Sequence, residues 1–212
     1  MKIHIFTFNP FSENTYLVSG DDQTCTIIDP GCYDASEFET LSSYITTNQL
    51  RPTKVVLTHA HLDHIFGLKR CLDKYDIPYY MSDLEQPVLQ SSPQVAGMYG
   101  VVCEAVDQTH KSLGEGDDLQ MGGMVWDIMI TPGHSPGSLC FHEKSTHQLI
   151  GGDVLFRDSI GRTDLPGGDH ETLLSSIKEK LYPLPDATIV YPGHGPETTI
   201  GHERQNNPFV TG

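Results

Sequence analysis

Thr58-His59-Ala60-His61-Leu62-Asp63-His64 puts three imidazoles and a carboxylate within six residues, directly after the short apolar run Val55–Leu57. Imidazole nitrogen and carboxylate oxygen are ligands for Zn²⁺, and they also suit Fe²⁺ and Mn²⁺. His59 and His61 stand two apart, so an extended turn aims both at one ion. Asp63 and His64 open the next helical pattern and aim at a neighbouring point. A closed structural zinc site would draw on cysteine, and this stretch has none.

Three further segments repeat the same design. Ile130-Thr131-Pro132-Gly133-His134, Leu149-Ile150-Gly151-Gly152-Asp153 and Val190-Tyr191-Pro192-Gly193-His194 each set a ligand-type residue beside glycine after a strand-like run. Glycine and proline bend the chain sharply there, and open sheets gather their sites at strand ends. Five histidines and two aspartates are too many for one tetrahedral ion. They suit two ions that share a bridging carboxylate, which Asp153 can supply. Water held between two close cations is a nucleophile at neutral pH. A serine triad would need Ser135 beside His134, but no Gly-x-Ser-x-Gly elbow surrounds it.

Outward from these motifs, strands are expected at Ile3–Phe8, Thr15–Ser19 and Cys25–Ile28, the last two joined by a Gly20-Asp21 turn. A helix is expected over Ala35–Asn48, with Phe38, Leu41 and Ile45 at helical spacing. Val55–Leu57 is a short buried strand, Leu62–Tyr75 a helix and Ile77–Met81 a strand. Further strands fall at Leu119–Met121, Val125–Thr131, Ser138–Phe141, Gln148–Ile150 and Thr188–Tyr191, with a helix over Glu171–Leu181. Residues 83–112 read as a lid or flanking loop. The sum is an α+β chain of two sheets between helices, with all 212 residues in one domain.

Composition narrows the function. The formal net charge is −15, from 28 Asp+Glu against 13 Lys+Arg. That disfavours nucleic acid, whose binding rests on clustered cations. No 18-residue apolar run suggests a membrane span. The five cysteines are widely spaced without a Cys-x-x-Cys, so they read as reduced thiols and the protein as cytoplasmic. The N-terminal apolar run ends too soon for a signal peptide.

These residues resemble the metallo-β-lactamase superfamily. The match rests on Asp29-Pro30-Gly31, Thr58–His64, Pro132–Ser138, Gly152-Asp153 and Pro192–Gly195. The resemblance implies a four-layer αββα sandwich, two mixed sheets flanked by helices. It implies that His59, His61 and His134 hold one metal ion, that Asp63, His64 and His194 hold a second, and that Asp153 bridges them. Asp63 and Asp153 are thereby the catalytic carboxylates. Asp29 matches the family's acid that orients a ligand histidine. Two divalent ions are implied, zinc foremost, with iron or manganese as alternatives.

Within the superfamily, Gly161-Arg162-Thr163-Asp164 and the ending Gly201-His202-Glu203-Arg204 with Asn207-Pro208-Phe209 resemble the short bacterial glyoxalase II group. The implied reaction is hydrolysis of a small thioester of the S-lactoylglutathione type by a metal-bridging hydroxide. Arg162 falls where glyoxalase II has a lysine that contacts glutathione, and is the substrate-binding candidate. Its other reading is an ion pair with Asp164 or Asp158. Asp164 and Gly195-Pro196 replace tyrosines of that family, and the helical extension of the long enzymes is missing. The alternative is a mononuclear iron persulfide dioxygenase, in which His59, His134 and Asp153 form the facial triad. Ile160 replaces a cysteine typical of that group. A β-lactamase, a nuclease and a non-catalytic metal module fit less well, and the oligomeric state is left open.

Overall fold

The computed structural model describes residues 1–210. The chain gathers into two compact units, one of Met1–Leu113 with Gln120–Met124, the other of Gly114–Leu119 with the chain from Val125 on.

The first unit holds a mixed six-stranded sheet in the order β1-β2-β3-β4-β5-β6: β1 Lys2–Phe8, β2 Glu13–Ser19, β3 Thr24–Ile28, β4 Arg51–Val56, β5 Tyr79–Met81 and β6 Lys111–Ser112. β1, β2 and β3 form an antiparallel meander, and β3 to β6 run parallel. Parallel neighbours need crossover helices, here α1 Ala35–Thr47, α2 Leu62–Ile65, α3 Leu68–Tyr75 and α4 Gln86–Met98. Asp34 caps α1 by accepting from the N–H groups of Ser36 and Glu37. Leu41, Ile45, Leu68, Leu72 and Leu89 from these helices bury against Leu17, Ile27, Val55 and Leu57 of the sheet. Tyr16, Val18, Ile28 and Val56, which alternate with those strand residues, are also buried, so this sheet is covered on both faces.

The second sheet has the order β14-β13-β10-β9-β8-β7: β7 Leu119–Met121, β8 Met124–Ile130, β9 Leu139–Glu143, β10 Gln148–Gly152, β13 Ile189–Pro192 and β14 Thr198–Thr199, and from Val125 on its strands belong to the second unit. β11 Leu155–Phe156 and β12 Ser159–Ile160 pair as a separate two-stranded hairpin. β10 and β13 are parallel, and the helix α5 His170–Ser176 lies between them in the chain. α5 continues as a π-turn over Ile177–Leu181, and α6 Ile200–Asn206 ends the chain of elements. Leu173, Ile177 and Leu181 pack with Leu149 and Val190 in this unit's own core. The mixed sheets with flanking helices agree with the α+β expectation.

Two local expectations are corrected. The loop expectation for residues 83–112 fails over its first half: a 3₁₀ turn at Asp83–Glu85 leads into the thirteen-residue α4, whose Leu89 and Ala96 enter the core, while residues 99–110 run without helix or strand. Pro87 sits in the first turn, where no N–H is needed. Pro93 cannot donate to Leu89 O, and Ser92 Oγ donates to that carbonyl instead, at 2.7 Å. The second correction concerns Leu62–Tyr75, which is two helices. Gly67 N–H leaves the helical ladder and donates to Pro30 O at 2.7 Å, so the chain restarts as α3.

Glu143 closes the turn from β9 to β10. It accepts from Ser145 N–H at 2.9 Å, Ser145 Oγ at 2.7 Å, Thr146 N–H at 2.7 Å, and Thr146 Oγ1. Burial opposes the ionised form, but these four donors outweigh it and hold the carboxyl at about 2 against an ordinary 4.5. A depressed carboxylate contributes stability above its unfolded value and loses it as pH falls through the folded one. Glu143→Gln is therefore expected to cost about 1–3 kcal/mol at neutral pH. The difference from wild type should shrink as pH is lowered through about 2, read by urea unfolding across pH. A cost independent of pH would refute this.

Candidate metal centre

Asp29 is the hub of the first unit's donors. It follows β3 directly, in a left-handed conformation with φ 48°, and is buried. Its Oδ1 accepts Thr58 N–H at 2.7 Å, and its Oδ2 accepts Thr58 Oγ1 at 2.5 Å and His64 Nδ1 at 3.0 Å. Because the Thr58 hydroxyl donates to Asp29, it accepts from His59 Nδ1, 3.1 Å away. One carboxylate thus sets the tautomer of two imidazoles: both carry hydrogen on Nδ1 and keep a lone pair on Nε2 for a ligand. His64 Nε2 lies 3.9 Å from Asp63 Oδ2. The His59 ring stands 4.8 Å from that of His61 and 4.1 Å from that of His64.

The same loops are tied down by residues that the sequence reading passed over. Asn9 Nδ2 donates to Asp63 O and to Gly31 O, both at 2.9 Å. Glu85 Oε2 accepts Ala60 N–H at 2.8 Å, between the first two histidines of the motif. Glu13 is wholly buried 3.9 Å from His64 Nδ1, accepts from Thr15 Oγ1, and is pushed well above the usual carboxylate range by that burial. None of these carries a sequence signature, because each binds a group brought to it by folding.

In the second unit, one carboxylate oxygen stands near two imidazole nitrogens. His134 Nε2 and His194 Nε2 each lie 3.5 Å from Asp153 Oδ2. That is longer than an N–H···O hydrogen bond, which leaves room for an ion beside the carboxylate. His134 Nδ1 bonds Arg162 O at 2.7 Å, which turns Nε2 toward Asp153. Asp153 and His194 leave the ends of the parallel strands β10 and β13, held together by Gly193 N–H to Gly152 O at 2.8 Å. Gly133 makes the bend before His134 at φ 126°, where an added Cβ would meet Leu173 N at 2.3 Å. A Cβ on Gly161 would meet Asp153 O at 1.9 Å, so only glycine fits there.

The donor chemistry fits divalent metal ions: imidazoles, three of them oriented through Nδ1, together with carboxylates and free of cysteine. Within each unit the expected ligands come together, His59, His61, Asp63 and His64 in the first, His134, Asp153 and His194 in the second. The Arg162 side chain is 58% exposed and grips Asp164 through Nε and Nη2 at 2.7 and 2.8 Å. That guanidinium holds the Asp164 carboxyl at about 2. The five cysteines are buried free thiols. Among the described residues, no helix is long and apolar enough to cross a membrane.

A family model described as the metallo-beta-lactamase superfamily matches residues 8–194. The protein "Probable metallo-hydrolase YqgX" of Bacillus subtilis (strain 168) is 42% identical, with 100% of this chain and 99% of that protein aligned. "Hydroxyacylglutathione hydrolase GloC" of Haemophilus influenzae is 37% identical over 99% of this chain and 98% of its own. Among solved structures, BLEG-1 B3 metallo-beta-lactamase has a TM-score of 0.90 and 40% identity, covering 100% of both chains. A di-iron-bound form of TTHA1623 has a TM-score of 0.88 and 37% identity over 98% of this chain and 100% of that one. ETHE1 from Myxococcus xanthus, at 24% identity, shares the fold alone, with a TM-score of 0.79 over 98% of this chain and 84% of its own.

Proposed function

The chain belongs to the metallo-beta-lactamase superfamily and is a metallo-hydrolase, and we propose that its substrate is a small thioester of the hydroxyacyl-glutathione type. The observation that carries the reading is the convergence of His134 Nε2 and His194 Nε2 on Asp153 Oδ2, each at 3.5 Å. The 37% identity to a hydroxyacylglutathione hydrolase over nearly both full chains supports the choice of thioester. The ligands in this reading are His59, His61, Asp63, His64, His134, Asp153 and His194. Zinc is the first candidate, and a di-iron relative keeps iron beside manganese as alternatives. A divalent ion bound there supplies a Lewis acid and lowers the pKa of water.

The residues of the chain hold and orient. Asp29 and Thr58 fix the imidazoles of His59 and His64, and the Arg162 carbonyl fixes that of His134. In the overall reaction, water adds to the thioester carbonyl, the C–S bond breaks, and a carboxylic acid and a thiol leave.

The deciding assay loads the purified protein with zinc, iron or manganese in turn. Each form meets S-lactoylglutathione, a β-lactam, and glutathione persulfide with oxygen uptake recorded. The expected result is thioester hydrolysis with kcat/KM of about 10⁴ M⁻¹s⁻¹ or more. A β-lactam belongs in the panel because a 40% identical structure is named as a lactamase. Turnover of the lactam or the persulfide without thioester hydrolysis would overturn the proposal. Arg162→Ala is expected to raise KM about three- to tenfold, with kcat and metal content unchanged, because it removes an exposed binding contact. An unchanged KM would leave the arginine to Asp164 alone.

A further inference from the structure

The parallel strands β3, β4 and β5 end at Ile28, Val56 and Met81. Just beyond those ends stand Asp29, Thr58 and Glu85. The first two bond each other, as described, and orient histidines. The third is as buried as they are. Glu85 closes the 3₁₀ turn Asp83–Glu85, whose start is capped by Ser82 Oγ accepting Leu84 N–H. Its Oε2 receives the N–H of Ala60, itself wholly buried, at 2.8 Å. Ala60 is the residue between His59 and His61.

We infer that Glu85 is a positioning residue for metal capture, which pins the backbone between His59 and His61 and so sets the spacing of their rings. The inference rests on the metal-binding reading above. A buried carboxylate is costly to desolvate, and an apolar side chain of similar size would fill the space without that cost. What the carboxylate adds is a charge-assisted bond to one amide, of the stronger and more directional kind. Without it the Ala60 peptide can rotate, and the two imidazoles, nearly perpendicular at 88° and 4.8 Å apart, lose their fixed separation. Ligands held at a fixed spacing meet an ion with little ordering cost, and loose ones do not.

The test is Zn²⁺ affinity by competition with a chromophoric chelator, together with the visible spectrum of the Co²⁺ form, in Glu85→Ala, Glu85→Asp and Glu85→Gln. Glu85→Ala is expected to bind Zn²⁺ about 10- to 100-fold more weakly, the usual cost of losing an outer partner of a ligand, with altered Co²⁺ bands. Glu85→Asp, whose carboxylate is one methylene short of the amide, is expected to lose as much. Glu85→Gln keeps an acceptor and is expected to recover most of the affinity and the wild-type spectrum. Should Glu85→Ala fail to fold, Glu85→Asp decides. A folded Ala or Asp variant with wild-type affinity and spectrum would overturn the inference while leaving the metal reading intact. A wild-type protein that takes up no metal would overturn both.

Discussion

Asp153→Ala is expected to leave a folded protein that neither retains metal nor turns over substrate. The carboxylate is 8% exposed and stands between two imidazole nitrogens at 3.5 Å each. Without it, His134 and His194 keep no shared acidic partner at that point, and two neighbouring ligands lose their common charge. Loss of an outer partner of a ligand costs about 10- to 100-fold in affinity, and loss of the ligand itself lies at or beyond the top of that range. Turnover is expected to fall about a thousandfold, or about 4 kcal/mol of barrier. Metal analysis after dialysis and thioester kinetics check both halves. Stoichiometric metal with full activity would remove Asp153 from the centre.

Asp29 gives the second large effect, and it divides into two parts. Asp29→Ala leaves Thr58 N–H, Thr58 Oγ1 and His64 Nδ1 without their acceptor in a dry interior. It also puts alanine at φ 48°, which asparagine and aspartate tolerate better. A destabilisation of about 3–5 kcal/mol is expected, a large share of the about 5–15 kcal/mol that holds a domain together. Asp29→Asn keeps the backbone conformation and the acceptor for Thr58 N–H, but sets an amide NH₂ against His64. The imidazole must then present its lone pair to the introduced amide and a hydrogen toward the ligand side. Stability should fall much less than in the alanine variant, while metal affinity falls about 10- to 100-fold. Urea unfolding of the metal-free proteins and chelator competition separate the two. Equal metal affinity in Asp29→Asn and wild type would show that the tautomer is set elsewhere.

The candidate donors could be picked out in the sequence because strand ends mark themselves. Gly, Pro and Thr crowd the positions before His59, His134, Asp153 and His194, and apolar runs precede them. α1 was equally open, with Phe38, Leu41 and Ile45 at helical spacing. α4 was hidden because Pro87 and Pro93 look like breakers, and nothing local reveals that Ser92 takes over the carbonyl left by Pro93. The break between α2 and α3 was hidden for the converse reason: the apolar spacing runs through Gly67, and only its bond to Pro30 O interrupts the helix. Asn9 and Glu85 act on backbone groups 54 and 25 residues away, so their roles exist only after folding.

At positions 161 and 162 the backbone and the side chain serve different ends. Gly161 is demanded by space and the Arg162 carbonyl by His134, whereas the guanidinium points to Asp164 in the solvent. Any residue at 162 can supply the carbonyl. The segment is therefore modular: the side chain at 162 can be exchanged among descendants while the histidine that its carbonyl holds stays clamped.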